Sequence, residues 1–213
     1  MEKVGLLGGT FDPVHDGHVQ LALAARREFG LERMLLIPAA DPPHKQDVVV
    51  TAFSHRRQML ALALAGIKGL QPCWIEGEMP LPSYTVDTVR LLQSRDQNPT
   101  VYSFVIGVDA FADILSWKEY RELLSRVGLI VARRKGFTAD RALAGIAATL
   151  GYRRQQTRWQ GRQGLRDIHF LQASPPDVSS SHIRSLLAAR RADIDDMHPA
   201  VIGYALDHGL YRS

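Results

Sequence analysis

A glycine pair and two imidazoles fall within eleven residues near the start of the chain, Gly8-Gly9-Thr10-Phe11-Asp12-Pro13-Val14-His15-Asp16-Gly17-His18. Glycines directly after an apolar run let backbone N–H groups approach a ligand closely. The helix expected from residue 17 turns its unpaired N–H groups and positive dipole end toward the same point. His15 and His18 flank that helix start, and an imidazolium there gives charge-assisted hydrogen bonds to phosphate. The combination suits a polyphosphate. The turn lacks G-x-G-x-x-G, and G-x-x-x-x-G-K-[ST] occurs nowhere in the chain, so neither the dinucleotide fingerprint nor the P-loop is present. The two histidines could also meet a metal, but no nearby Cys or third His completes a ligand set.

Four further clusters carry candidate chemistry. Pro43-His44-Lys45 offers a movable point charge for phosphate, although an exposed lysine alone signifies little. Ser83-Tyr84-Thr85-Val86-Asp87-Thr88 reads first as a helix N-cap at Ser83, and a helix start is also a receptor for a carboxylate. Ile106-Gly107-Val108-Asp109-Ala110-Phe111 ends a β-like run. Its glycine permits close approach of a nucleotide, and Asp109 can accept from ribose hydroxyls. Trp117 follows, equally suited to a core. Val178-Ser179-Ser180-Ser181-His182-Ile183-Arg184 gathers hydroxyls and a guanidinium at another helix start, which makes either a cap or an anion site.

The elements that must position these residues alternate. Strands are expected at 4–7, 34–37, 70–76, 101–108, 129–132 and 168–171. Helices are expected at 17–29, 54–65, 84–95, 118–126, 140–150, 180–191 and 199–208. Such alternation implies an α/β fold, a Rossmann-like doubly wound parallel sheet, here with a short C-terminal helical part. One domain is expected, with its core over about residues 1–175 and helices over about 176–213. The loops after Leu7, Ile37, Val108 and Leu171 should converge on one crevice. Residues 151–166, rich in Gln, Gly and Arg, read as a surface loop or hairpin.

Composition sets the outer bounds. The chain has 213 residues, 46% of them hydrophobic, with 26 Lys plus Arg against 22 Asp plus Glu, a formal charge of +4. That excludes a disordered chain and suits an anionic small molecule as well as a nucleic acid. The lone Cys73 excludes an intrachain disulfide and favours a reducing compartment. No apolar run approaches the ~20 residues that span a bilayer, and the N-terminus has no signal-peptide pattern, so a cytoplasmic location is expected. A homo-oligomer is left open.

The string from Gly8 to His18 resembles the G-G-[ST]-F-D-P-x-H-x-G-H signature of the nucleotidylyltransferase superfamily. Pro43-His44-Lys45 and Ser83 to Thr88 are similar to the P-P-H-K and S-Y-T-x-D-T segments of its bacterial nicotinate mononucleotide adenylyltransferases. Gly107 to Phe111 looks like their G-x-D-A-F. Ser179 to Arg184 resembles I-S-S-T-x-I-R, with Ser181 in the threonine slot. The resemblance implies adenylyl transfer from ATP to nicotinate mononucleotide, giving nicotinate adenine dinucleotide and pyrophosphate, with Mg²⁺ arriving on ATP. It implies His15, His18 and Arg184 as catalytic groups on the triphosphate. For ATP it implies Gly8, Gly9, Thr10, Phe11, Gly107, Asp109, Arg134, Ser180 and Ser181. For the second substrate it implies Lys45, Thr85 and Trp117. Arg134-Lys135-Gly136 departs from the family's R-P-G, and residues 151–166 match no motif. A nicotinamide mononucleotide enzyme is the neighbouring alternative. A remote one is an RNA-binding protein using Arg153, Arg154, Arg158, Arg162 and Arg166, with Trp159 as a stacking platform.

Overall fold

A computed structural model describes residues 1–42, 49–133, 140–155 and 157–212. Three parallel strands form its centre: β1 (Glu2–Gly9), β2 (Arg33–Pro38) and β4 (Thr100–Gly107), with β1 hydrogen-bonded to both of the others. Leu6 and Leu7 point to opposite faces, as the period of two requires, and both are buried. β3 (Leu70–Pro72) flanks β2, while β5 (Gly128–Ala132) and β8 (Ile168–Leu171) continue beyond β4. The order β3-β2-β1-β4-β5-β8 reverses direction between β1 and β4. In a doubly wound sheet that switch point opens a crevice at the carboxyl ends of the strands.

Helices cover both faces. On one side α1 (Asp16–Glu28), α2 (Phe53–Leu64), α7 (Ser180–Ala188) and α8 (Pro199–Asp207) share a core that includes Leu7, Leu36, Val105 and Ile130. On the other, α3 (Thr85–Arg95), α4 (Val108–Ala112), α5 (Tyr120–Arg126) and α6 (Asp140–Leu150) close over Leu6, Phe104, Leu129 and Val131. Ile183, Leu187, Val201 and Ile202 belong to the first of these cores, so the C-terminal helices pack with the sheet.

Three sequence expectations are corrected. The strand expected over 70–76 stops at Pro72, and the chain turns into a 3-10 turn at Ile75–Glu78. The ladder runs past Pro72 to a last bond from the Cys73 N–H to the Leu36 carbonyl at 2.9 Å, and Pro38, next in line on β2, has no N–H to extend it. The region 151–166 holds a short hairpin, β6 (Arg153–Arg154) and β7 (Arg158–Gln160), added antiparallel to β8, so the sheet is mixed rather than wholly parallel. Trp159 is only 2% exposed and packs among Phe111, Tyr152 and Phe170. Strand alternation turns Trp159 inward and Arg158 and Gln160 outward, so its ring cannot stack a base as the RNA reading required.

Candidate active site

The β1–α1 loop is held from several sides before any ligand arrives. Phe11 takes a left-handed conformation, with φ 49°, and its ring is buried against the edge of His18 at 4.9 Å between centroids. Its side chain belongs to the core. Asp12 accepts from Tyr211 Oη at 2.7 Å and from the Thr51 N–H at 3.1 Å. The Asp12 carbonyl accepts from Arg184 Nη1 at 2.8 Å. Arg56, 1% exposed, donates to the carbonyls of Thr51, Thr10, Ala39 and Ala40 at 2.7–3.1 Å. One buried guanidinium thereby ties together the loop after β1, the exit of β2 and the approach to α2. In the sequence it is only an arginine inside a helix.

His15 and His18 stack at the start of α1, with ring centroids 3.7 Å apart. The stack presses on Gly17, where a Cβ would lie 3.0 Å from His15 Nδ1 and 3.2 Å from the Pro176 carbonyl. His15 is 6% exposed, and its Nε2 meets Ser180 Oγ at 3.1 Å. Burial pulls its pKa down to about 4, against the upward pull of the Asp196 carboxylate. His18 Nδ1 accepts from the His15 N–H at 3.3 Å. An accepting ring nitrogen carries no proton, so the proton of His18 sits on Nε2. The expected imidazolium pair is therefore corrected at His15, whose ring burial holds neutral, while His18 turns Nδ1 to the His15 N–H.

Two cavities open beside this loop. The larger, about 820 Å³, is lined by His15, Gly17, His18, Gly107, Asp109, Arg133 and residues 174–180. At Gly107 a Cβ would fall 2.5 Å from Asp109 Oδ1, so any side chain there would push that carboxylate aside. The smaller, about 240 Å³, is lined by Gly8, Gly9, Thr10, Ala39, Glu76, Ser83, Tyr84, Thr85, Phe104, Trp117 and Lys118. The half-buried Trp117 meets Phe104 edge-on, at 6.2 Å between centroids. Lys118 Nζ lies 4.7 Å from the centre of the Tyr84 ring and 2.9 Å from Asp87 Oδ2. Asp87 is also engaged by Arg90 Nη1 at 2.7 Å, so it does not depend on the lysine.

The expected residues divide between these spaces. His15, His18, Gly107, Asp109 and Ser180 line the larger cavity. Gly8, Gly9 and Thr10 line the smaller one together with Thr85 and Trp117. Arg184 lines neither: its guanidinium is engaged by the Asp12 carbonyl and by Ser181 Oγ at 3.0 Å. Lys45 and Arg134 lie outside the described residues. Ser83 does not cap α3: its hydroxyl donates to Glu76 at 2.6 Å, and Tyr84 is the cap residue. Arg56, Glu76, Lys118 and Arg133 went unread in the sequence because each sits in an ordinary-looking segment, brought to the crevice only by the fold.

The doubly wound sheet, with paired histidines on its first loop and a nucleotide-sized crevice at its switch point, defines a cytidylyltransferase-like protein; that family model matches residues 6–186. A relative from Desulfotalea psychrophila, named "Probable nicotinate-nucleotide adenylyltransferase", is 36% identical, with 99% of this chain and 100% of the relative covered. The one from Geobacter sulfurreducens is 38% identical, with 98% of each covered. The chain belongs to the nicotinate-nucleotide adenylyltransferase family. A solved structure of the Plasmodium falciparum nicotinic acid mononucleotide adenylyltransferase, complexed with NaAD, shares the fold, with a TM-score of 0.68 at 19% identity and coverage of 99% and 98%.

Proposed function

We propose that the protein transfers the adenylyl group of ATP to nicotinate mononucleotide, forming nicotinate adenine dinucleotide and pyrophosphate, a step of NAD biosynthesis. The observation that carries this is a small aromatic cavity with a cation at its mouth, beside a larger one walled by histidines and helix starts. ATP is assigned to the larger cavity, with Asp109 at its ribose and His18 and the 174–180 segment at its phosphates. The pyridine ring is assigned to Trp117. Its carboxylate is assigned to Thr85, the first residue of α3, and to the Lys118 ammonium. Lys45, Arg134, Arg184 and Ser181 are assigned to the phosphates as the substrates close in.

The mononucleotide's 5′-phosphate oxygen forms the new bond to the α-phosphorus. The bond from that phosphorus to the pyrophosphate oxygen breaks, and pyrophosphate departs with the electron pair. The attacking phosphate is already ionised, so no protein nucleophile is required. Catalysis is positioning plus charge stabilisation. His18 Nε2–H donates to the charge that develops on the α-phosphate. His15 is neutral and holds Ser180 and the start of α7. Mg²⁺ enters with ATP and supplies further charge neutralisation. Among the described residues no group of three or more His, Cys, Asp or Glu could hold a metal ion, so phosphate oxygens and water would make up most of its coordination.

The same reading takes residues 1–213 as one domain acting in the cytoplasm. Among the described residues no helix is long and apolar enough to cross a membrane. Pyrophosphate release from ATP and Mg²⁺ is to be measured with nicotinate mononucleotide and with nicotinamide mononucleotide. Higher kcat/KM for the nicotinate form is expected. Equal values would refute the substrate assignment.

A further inference from the structure

Glu76 is the carboxylate in the smaller cavity's lining, and it is 8% exposed. Its partners come from opposite walls. From the exit of β2, the Ala40 N–H donates to Oε2 at 3.3 Å. From the other wall, Ser83 Oγ donates to Oε2 at 2.6 Å and Thr88 Oγ1 to Oε1 at 2.9 Å. Three of its roughly four lone-pair positions are thus taken by protein, which leaves little for a ligand. The peptide at Ala40 is gripped from the other side as well, since Arg56 holds the carbonyls of Ala39 and Ala40. A buried cation and a buried anion therefore pin one short segment, and only the anion extends that grip to the residues around Thr85.

We infer that Glu76 is a positioning residue for the mononucleotide: it fixes the distance between the β2 exit and the start of α3, and so the width of the pyridine cavity. The inference rests on the assignment of that cavity to nicotinate mononucleotide. Glu76 acts through Ala40, Ser83 and Thr88 and touches no reacting atom. ATP is assigned to the other cavity, so loss of the clamp loosens one substrate and spares the other.

The reading predicts a particular pattern of variants. Glu76→Ala raises KM for nicotinate mononucleotide by about tenfold, as expected when binding groups lose their preset positions, and leaves KM for ATP within about twofold. Glu76→Gln restores most of the loss. Its amide oxygen can keep Ala40 and Ser83, while its NH₂ donates to Thr88 Oγ1, whose own proton turns to the Tyr84 carbonyl 3.2 Å away. Ser83→Ala and Thr88→Val each raise the same KM in the natural chain and add nothing to Glu76→Ala, because they share its network.

Steady-state kinetics with each substrate varied in turn, on variants first shown folded by thermal unfolding, tests this. Equal rises in both KM values would overturn the clamp. So would Glu76→Gln as impaired as Glu76→Ala, or Thr88→Val effects that multiply with Glu76→Ala. If Glu76→Ala does not fold, Ser83→Ala and Thr88→Val carry the test through the same split between the two KM values. A wild-type protein inactive on nicotinate mononucleotide would refute the cavity assignment and the clamp with it, whereas an active wild type without the KM split refutes the clamp alone.

Discussion

Lowering the pH should cost this protein stability through His15 in particular. The unfolded chain takes a proton on that imidazole near pH 6.5, whereas burial holds the folded ring neutral down to about 4. Between those values the unfolded state binds more protons than the folded state, so stability falls as pH falls. The contribution is complete above pH 6.5, declines through the window, and reaches its floor near the folded value. Two and a half units correspond to about 3 kcal/mol in full, and moving from pH 7.5 to pH 5 should remove about 2 kcal/mol of it. Urea unfolding at both pH values, on the natural protein and on His15→Gln, isolates the contribution. Changes from neighbouring groups such as Asp16 and Asp196 largely cancel in the difference. The natural protein should lose about 2 kcal/mol more than the variant over that interval. Equal losses would mean that His15 titrates freely and would refute the neutral ring.

Three other outcomes are expected. Because His18 donates from Nε2, His18→Ala should lower kcat by about 10²–10³-fold, the range for a lost oxyanion donor, in a folded protein; single-turnover kinetics checks it. Lys118→Met should reduce the ratio of kcat/KM between nicotinate and nicotinamide mononucleotides by about fivefold, because an exposed ammonium near a carboxylate is worth on the order of 1 kcal/mol. An unchanged ratio would remove Lys118 from carboxylate recognition. Arg56→Met strands four buried carbonyl contacts and should cost about 3–5 kcal/mol, lowering Tm by about 10 °C in a calorimetric scan.

Apolar runs such as Val4-Gly5-Leu6-Leu7 and Val101 to Gly107 were readable as buried strands because nothing else suits four or more successive apolar residues between turn signals. Their parallel pairing followed from alternation with helices. Leu70 to Glu76 misled, since its apolar residues fit a strand while the partner strand β2 ends at Pro38, which has no N–H to carry the pairing on. At 151–166 a loop or hairpin was legible, but the pairing of Arg158 to Gln160 onto β8 was not, because the strands are short and their outward residues are polar. At the site, the segments with glycine, histidine and hydroxyl residues in tight spacing were legible. Arg56 and Glu76 were not, because their significance lies in partners 5–46 and 7–36 positions away. Ser83 shows the same limit from the other direction: a residue type that commonly caps a helix serves here to hold a carboxylate.

The braces on the first loop have a consequence for the growing chain. Asp12 is held by Arg184 and Tyr211, His15 by Ser180, and the Asp16 N–H donates to the Asp196 carbonyl at 2.9 Å. Arg56 and Thr51 can hold the turn at Thr10 and Asp12 early in synthesis, whereas Ser180, Arg184, Asp196 and Tyr211 reach it much later. The turn is thus braced in two stages, first against its own half of the sheet and only afterwards by the segment that carries α7 and α8.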